Sequence, residues 1–436
     1  MLLIYLPKNS TRCKYVFDLI FIQEFGIEFR ITNDRNKFEI YQEEKINYSN
    51  ERVAAEFFIK ATEILWENEI KKQDVKVVEK GKVKVLFPSQ YDDLGFDIFA
   101  AVFYMLSRYE EYLPFVADEF GRFKACDSLA FQNDFLQKPV VNIWIGIFAK
   151  ALKNKFKKLE FKVSAFKAIV TYDIDVAFKF KGRSFGRTIG SSIKDLLCFH
   201  LQNLKGRIQT LSQSKNDPWD VYDELKRMII NNQLSSIFFF LLADKSAHDR
   251  NLHFQNQQMK KLVQEIKSFS DIGIHPSFYT SSFPRKILVE KQRLEKLSGQ
   301  KINKSRQHYL KFKLPDTYNF LLSAGITEDY SMGFAGEPGF RAGSCKPFYF
   351  YDLKTEKTTH LKIFPITFME GTLMNYLNPA DALKKILELL KEVKSVGGIF
   401  IPLWHNHTMS DADQDSAWKN VHGQMIEMVL FRLNES

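Results

Sequence analysis

Apolar residues along this chain follow two rhythms. Short runs such as "LLIYL" and "IEFRI" carry the strand pattern, and longer stretches such as "DIFAAVFYMLSRYEEYL" repeat their apolar positions every three or four residues, as helices do. The first third therefore predicts an α/β domain. Lysine-rich "KALKNKFKKLEFK" closes it on an amphipathic helix, which places a boundary near 160 and divides the chain into 1–160 and 161–436. Beyond it, "AFKAIVTYD", "SSIFFFLL", "SDIGIH", "SRQHYLKF", "TEDYSMGF", "LKIFPITFM" and "GGIFIPLW" read as strands. Helical patterns such as "QQMKKLVQEIKSF", "PDTYNFLLSAG" and "PADALKKILELLKEVKSVGG" separate most of them. About seven strands alternating with helices predict a distorted (β/α) barrel, preceded by the smaller α/β domain.

The polar residues fall where such a fold gathers its chemistry. "IVTYDID" ends in Asp173 and Asp175, "DIGIH" in His275, "SRQH" in His308 and "IFIPLWHNH" in His405 and His407. The carboxyl ends of parallel barrel strands converge on one face. Two carboxylates two apart on a strand point the same way, close enough to share a cation and a water. One would serve as ligand and the other as base; alternatively one caps the next helix and the other is solvated. An aspartate with two histidines is a common donor set for zinc and similar ions, which nominates His275 and His308. Alone, each histidine has the alternative of an interior hydrogen-bonding residue. Tyr279 stands four residues after His275, where many hydrolytic metal sites place a second histidine.

Other candidates follow from residue type. Arg341, between glycines in "GFRAG", can grip a carboxylate bidentately, and Glu370 in "TFMEGTL" can orient a histidine. A histidine at the end of a buried strand, as in "LWHNH", can deliver a proton near neutral pH. Tyr279 and Trp404 offer rings on which a sugar could stack, with core packing an equal alternative for Trp404.

Composition changes the picture in three places. No run of apolar residues is long enough for a membrane span, and the start lacks a signal-peptide pattern, so the expected location is cytoplasmic. Cys13, Cys126, Cys198 and Cys345 form no close pair, which argues against a disulfide framework or a cysteine zinc site. The net charge is +10, and residues 179–217 hold 8 Lys and Arg against 2 Asp. That stretch could meet an anionic membrane surface, giving a peripheral position at the inner membrane face. A nucleic-acid scaffold is the disfavoured version of the same idea.

The order of motifs resembles the NodB-homology polysaccharide deacetylases, the metal-dependent family-four carbohydrate esterases. "TYDID" is similar to their paired-aspartate motif with Ile174 as a spacer, "HPSFY" to their histidine motif with Tyr279 in place of the second histidine, "GFRAG" to their arginine motif and "LWH" to their last motif. The resemblance covers about residues 165 to 410. "SRYEEY", "GRF", "RQHYLKF" and "DYSMGF" further resemble an atypical bacterial two-domain branch with an uncharacterised N-terminal domain. It implies a hydrolase that removes N-acetyl, or secondarily O-acetyl, groups from a glycan or a lipid-linked sugar. By position it implies Asp173 as base, Asp175 and His275 as ligands of a divalent metal such as zinc, Arg341 as the holder of the base and His405 as general acid. The third ligand stays open between His308, Tyr279 and water, and Glu370 is suggested as the partner of His405. The alternatives are a catalytically silent glycan-binding barrel and the basic scaffold.

Overall fold

The computed structural model describes residues 1–53, 55–183, 185–410 and 416–434. Two units emerge, one from Met1–Lys167, Met332–Pro365 and Lys391–Ile399, the other from Ala168–Ser331, Ile366–Leu390 and Phe400–Ser436. The second half of the chain is therefore not one continuous unit, as 161–436 had it. "LKIFPITFM" shows why. Lys357–Ile363 forms an antiparallel hairpin with Phe348–Asp352 in the first unit, whereas Phe368–Met369 is a parallel strand of the second.

The first unit carries four parallel strands in the order Phe29–Thr32, Leu2–Tyr5, Lys45–Ser49, Phe57–Lys60. Its interior is aromatic: Phe99 lies 4.7 Å from Phe17 and 5.6 Å from Phe148, in edge-to-face geometry. Helix Ile98–Leu106 is buried along its whole length and begins at Asp97, whose side chain accepts from the Ala100 N–H at 3.0 Å. It ends before the expected "SRYEEY" continuation because Arg108 adopts a left-handed backbone with φ 53°.

In the second unit, seven parallel strands run in the order Phe368–Met369, Pro402–His405, Lys167–Ile174, Ser235–Phe240, Asp271–Ile274, Lys304–Ser305, Glu328–Asp329. Among the described residues no ladder joins the first of these strands to the last. The α/β class holds. The central strands are nearly continuous apolar runs because helices cover parallel sheets. Helix Gln257–Ile266, for example, buries Met259, Leu262, Val263 and Ile266 on one face. "SRQHYLKF" contributes only one strand residue, Ser305, before turning at His308–Leu310. At the sheet centre, a Cβ on Gly273 would stand 2.6 Å from the Phe239 ring, so the strand leading to His275 accepts no side chain there.

Candidate metal centre

Strand alternation sorts the site. In the ladder between Lys167–Ile174 and Pro402–His405, His405 is opposite Asp173 and Trp404 opposite Tyr172. Asp173 and His405 turn toward the site. Tyr172 and Trp404 turn the other way, onto His422 of helix Ser416–Asn434: the Tyr172 hydroxyl is 3.0 Å from His422 Nε2, and Trp404 packs edge-on at 4.9 Å. Trp404 is fully buried, which corrects its assignment as a sugar-stacking ring. A strand carrying a polar residue on the site face turns its apolar neighbour into the core.

The segment after Lys304–Ser305 continues the alignment. The Arg306 N–H donates to the Ile274 carbonyl at 3.1 Å and the His308 N–H to the Pro276 carbonyl at 3.1 Å, so residues 306–308 lie beside His275. Asp175, His275 and His308 then offer donor atoms within 4.8 Å of one another. His275 Nε2 is 3.2 Å from Asp175 Oδ1, and His308 Nε2 is 3.5 Å from Asp175 Oδ2.

Hydrogen bonds on the far side of each ring orient the donors. His275 Nδ1 lies 2.6 Å from the Arg306 carbonyl, an acceptor, so Nδ1 carries the proton and Nε2 presents a lone pair. His308 Nδ1 lies 3.0 Å from Asp249 Oδ1, and Asp249 is itself held by the Phe278 N–H and the Ser246 hydroxyl. His275 Nε2 and Asp175 Oδ1 are buried and have no hydrogen-bond partner. Although only 3.2 Å apart, they are two acceptors in this tautomer and cannot bond to each other. Two lone pairs facing across a buried gap call for a cation between them. The donor set thus fits a divalent ion, which Asp175, His275 and His308 could hold. Tyr279 stands aside from this set, half-buried, with its ring 5.2 Å from Phe278 and 6.0 Å from His248.

The charge balance points the same way. Asp173, Asp175, Asp249 and Glu370 surround the site, and Arg306 is the guanidinium among them. Burial works against charge on Asp175, yet His308 and His405 outweigh it and hold the carboxyl well below its ordinary range. Burial also disfavours an imidazolium on His308, but Asp175 and Asp249 prevail and raise it to about 9. On His405, burial is likewise overcome by Glu370 and Asp175, and the group rises to about 10.

Arg306 is the main residue that sequence reasoning missed. Fully buried, it donates from Nη1 to Asp173 Oδ1 at 2.9 Å, from Nη2 to Thr171 Oγ1 at 2.8 Å and from Nε to the Tyr330 carbonyl at 3.0 Å, with its plane over Phe239. It holds Asp173, the part expected of Arg341. Arg341 belongs to the first unit, where Nε and Nη2 grip Glu111 at 2.9 and 2.6 Å and Nη1 reaches the Gly333 carbonyl. Arg108 donates to the same Glu111 at 2.7 Å, so "SRYEEY" and "GFRAG" meet in one buried ion network. A signal for Arg306 existed: it stands two residues before His308, the spacing that paired Asp173 with Asp175. Asp249, in the irregular loop "ADKSAHD", carried none.

His405 and Glu370 do come together. Glu370 is fully buried, and its Oε1 lies 2.7 Å from His405 Nδ1 and accepts the His405 backbone N–H at 2.7 Å. The outer nitrogen, Nε2, faces Asp175 Oδ2 at 3.6 Å.

Residues 2–157 match a family model described as a family of unknown function (DUF7033). No curated protein matches the chain. Among solved structures, the chain is similar to a putative polysaccharide deacetylase from Mycobacterium smegmatis, at 12% identity over 61% of this chain and 86% of that one, TM-score 0.40. It is also similar to the polysaccharide deacetylase Bc1974 from Bacillus cereus, at 12% identity over 62% and 87%, TM-score 0.31. A third similar structure is BA3943, a CE4 family pseudoenzyme from Bacillus anthracis, at 8% identity over 61% and 62%, TM-score 0.31.

Proposed function

We propose that the second unit is a metal-dependent hydrolase that removes N-acetyl, or secondarily O-acetyl, groups from a glycan or a lipid-linked sugar. The observation that carries this reading is the pair of unpartnered acceptors on Asp175 and His275, with His308 beside them and two further groups of complementary chemistry on either side. A divalent ion such as zinc, held by Asp175, His275 and His308, would polarise the acyl oxygen and acidify a water.

The chain's own residues supply the proton movements. Arg306 occupies Asp173 Oδ1 and leaves Oδ2, 3.6 Å from His275 Nε2, to take a proton from the attacking water as general base. His405 is held charged by Glu370, and its outer Nε2 can protonate the departing amine. Glu370 acts as a positioning residue, since its Oε1 binds both Nδ1 and the backbone N–H of the same histidine. Tyr279, half-buried, offers a ring on which a sugar can stack.

The test couples metal content to acetate release. Elemental analysis of the purified chain, with acetate measured from a panel of N-acetylated glycans, should show one divalent ion and release. Asp173→Asn should abolish release and keep the metal, whereas Asp175→Ala should lose the metal. Metal without release from any substrate would favour a silent glycan-binding unit, and equal metal loss in both variants would remove the role division.

A further inference from the structure

Between strand Lys167–Ile174 and helix Tyr222–Asn231, the second unit inserts two helices, Phe185–Leu197 and Leu201–Leu211. Their amphipathicity is inverted. Buried Arg207 donates from Nη2 to Asp195 Oδ2 at 2.6 Å and from Nη1 to the Thr188 carbonyl and the Ser192 hydroxyl at 3.0 Å, so polar groups join the helices. The apolar side chains face water instead. Ile189, Ile193, Leu196 and Leu197 form a stripe on the first helix, and Leu201, Ile208 and Leu211 continue it on the second. Phe199, in the turn between them, is 85% exposed.

A helix pair resting in water places these two faces the other way round. A contiguous exposed apolar face of this kind marks a contact surface. Charge decides its occupant. Of the two acids in 179–217, Asp195 is taken by Arg207, and Asp217 accepts the backbone N–H groups of Lys179, Phe180 and Lys181. Exposed Lys194 and Lys205 flank the stripe with no acid to balance them on these helices; the side chain of Arg187 lies outside the described residues. A second copy docked on this face would bring like charges together. A negatively charged lipid surface attracts them. At 13 and 11 residues the helices are about 20 and 17 Å long, too short for a hydrocarbon core of about 30 Å. They would lie on a membrane and not cross it.

We propose that this hairpin is an interfacial membrane anchor for anionic lipid, with Leu197 and Phe199 at its deepest point. The inference does not depend on the metal site. Its test is co-sedimentation of the full chain with vesicles of equimolar phosphatidylglycerol and phosphatidylcholine, against vesicles of phosphatidylcholine alone, at low and high salt. Binding to the anionic vesicles, weakened by salt, is expected. Lys194→Gln and Lys205→Gln should each lower partitioning about fivefold, and Leu197→Asp with Phe199→Asp should abolish it. Phe199→Trp should add an emission component that shifts blue on vesicle addition, which reports insertion without a loss-of-binding variant. The Asp175→Ala chain should bind as the parent does, so failure of the hydrolase reading would leave this result untouched. Absence of binding to anionic vesicles, equal binding to both vesicle types, or self-association that Leu197→Asp abolishes would overturn the proposal.

Discussion

Replacing Arg306 separates the observed site from the one that motif position suggests. Arg306→Met deletes three hydrogen bonds, to Asp173, Thr171 and the Tyr330 carbonyl, and leaves the buried Asp173 carboxylate without its guanidinium. Stranding one member of a buried ion pair costs about 3–5 kcal/mol, and the two bonds from the charged guanidinium to neutral acceptors are worth about 1.5–3 kcal/mol each. The single variant therefore mixes the two terms, and only the pair term should vanish when both members go. In a cycle of Asp173→Asn, Arg306→Met and the double variant, the coupling should be about 2–3 kcal/mol. Hydrogen exchange followed by mass spectrometry, on peptides spanning Lys167–Ile174, reads the local opening free energy without requiring the whole chain to unfold in one step. The same cycle with Arg341→Met in place of Arg306→Met should be additive, because Arg341 is bound bidentately to Glu111. Glu111→Gln, in turn, should couple to Arg341→Met. Additivity for Asp173 with Arg306, below about 0.5 kcal/mol, or coupling of Asp173 with Arg341, would refute the reasoning.

Three further outcomes are expected. His308→Ala should lower bound divalent metal as much as His275→Ala in elemental analysis, whereas Tyr279→Phe should leave it unchanged; full occupancy in the His308 variant would remove that residue from the ligand set. Trp404→Phe should lower stability by about 1–2 kcal/mol through lost core packing and leave KM for glycan unchanged, since the ring faces His422; a rise in KM at equal stability would return Trp404 to the substrate. His422 is pushed down to about 4 by burial, with Glu370 opposing weakly. The unfolded chain, with an ordinary histidine near 6.5, therefore binds the proton first. The stability this contributes is complete above about 6.5 and is lost as pH falls toward 4, by about 3 kcal/mol in all. Urea midpoints measured across that range should fall with pH, and His422→Gln should flatten that slope; an unchanged slope would assign it to other groups.

Local chemistry explains what could be read along the chain. Strands and helices declare themselves through apolar period, because burial on one or both faces is a property of neighbouring residues. Residues at strand ends declare themselves by polarity after an apolar run. Asp173, Asp175, His275, His405 and Glu370 are all of this kind, whereas His308 follows the polar "NKSRQ", and the structure places Asp175 beside three of the histidines. Arg306 was hidden because a buried arginine and a solvated one look alike in sequence, and Asp249 because its loop has no period to mark it.

By itself the sequence determined the α/β alternation, the strand ends that carry the acids and histidines, and the positive excess near 179–217. Tertiary structure alone decided which guanidinium meets which carboxylate. Arg306 and Arg341 both suit a bidentate grip, and only the folded chain puts one on Asp173 and the other on Glu111. It also decided which way Trp404 turns and which face of the 185–211 hairpin is left to water. The reason is physical: a residue's type sets what it can bind, but its partner is chosen by groups tens or hundreds of positions away that burial forces within about 3 Å, where an unmatched charge is too costly to keep.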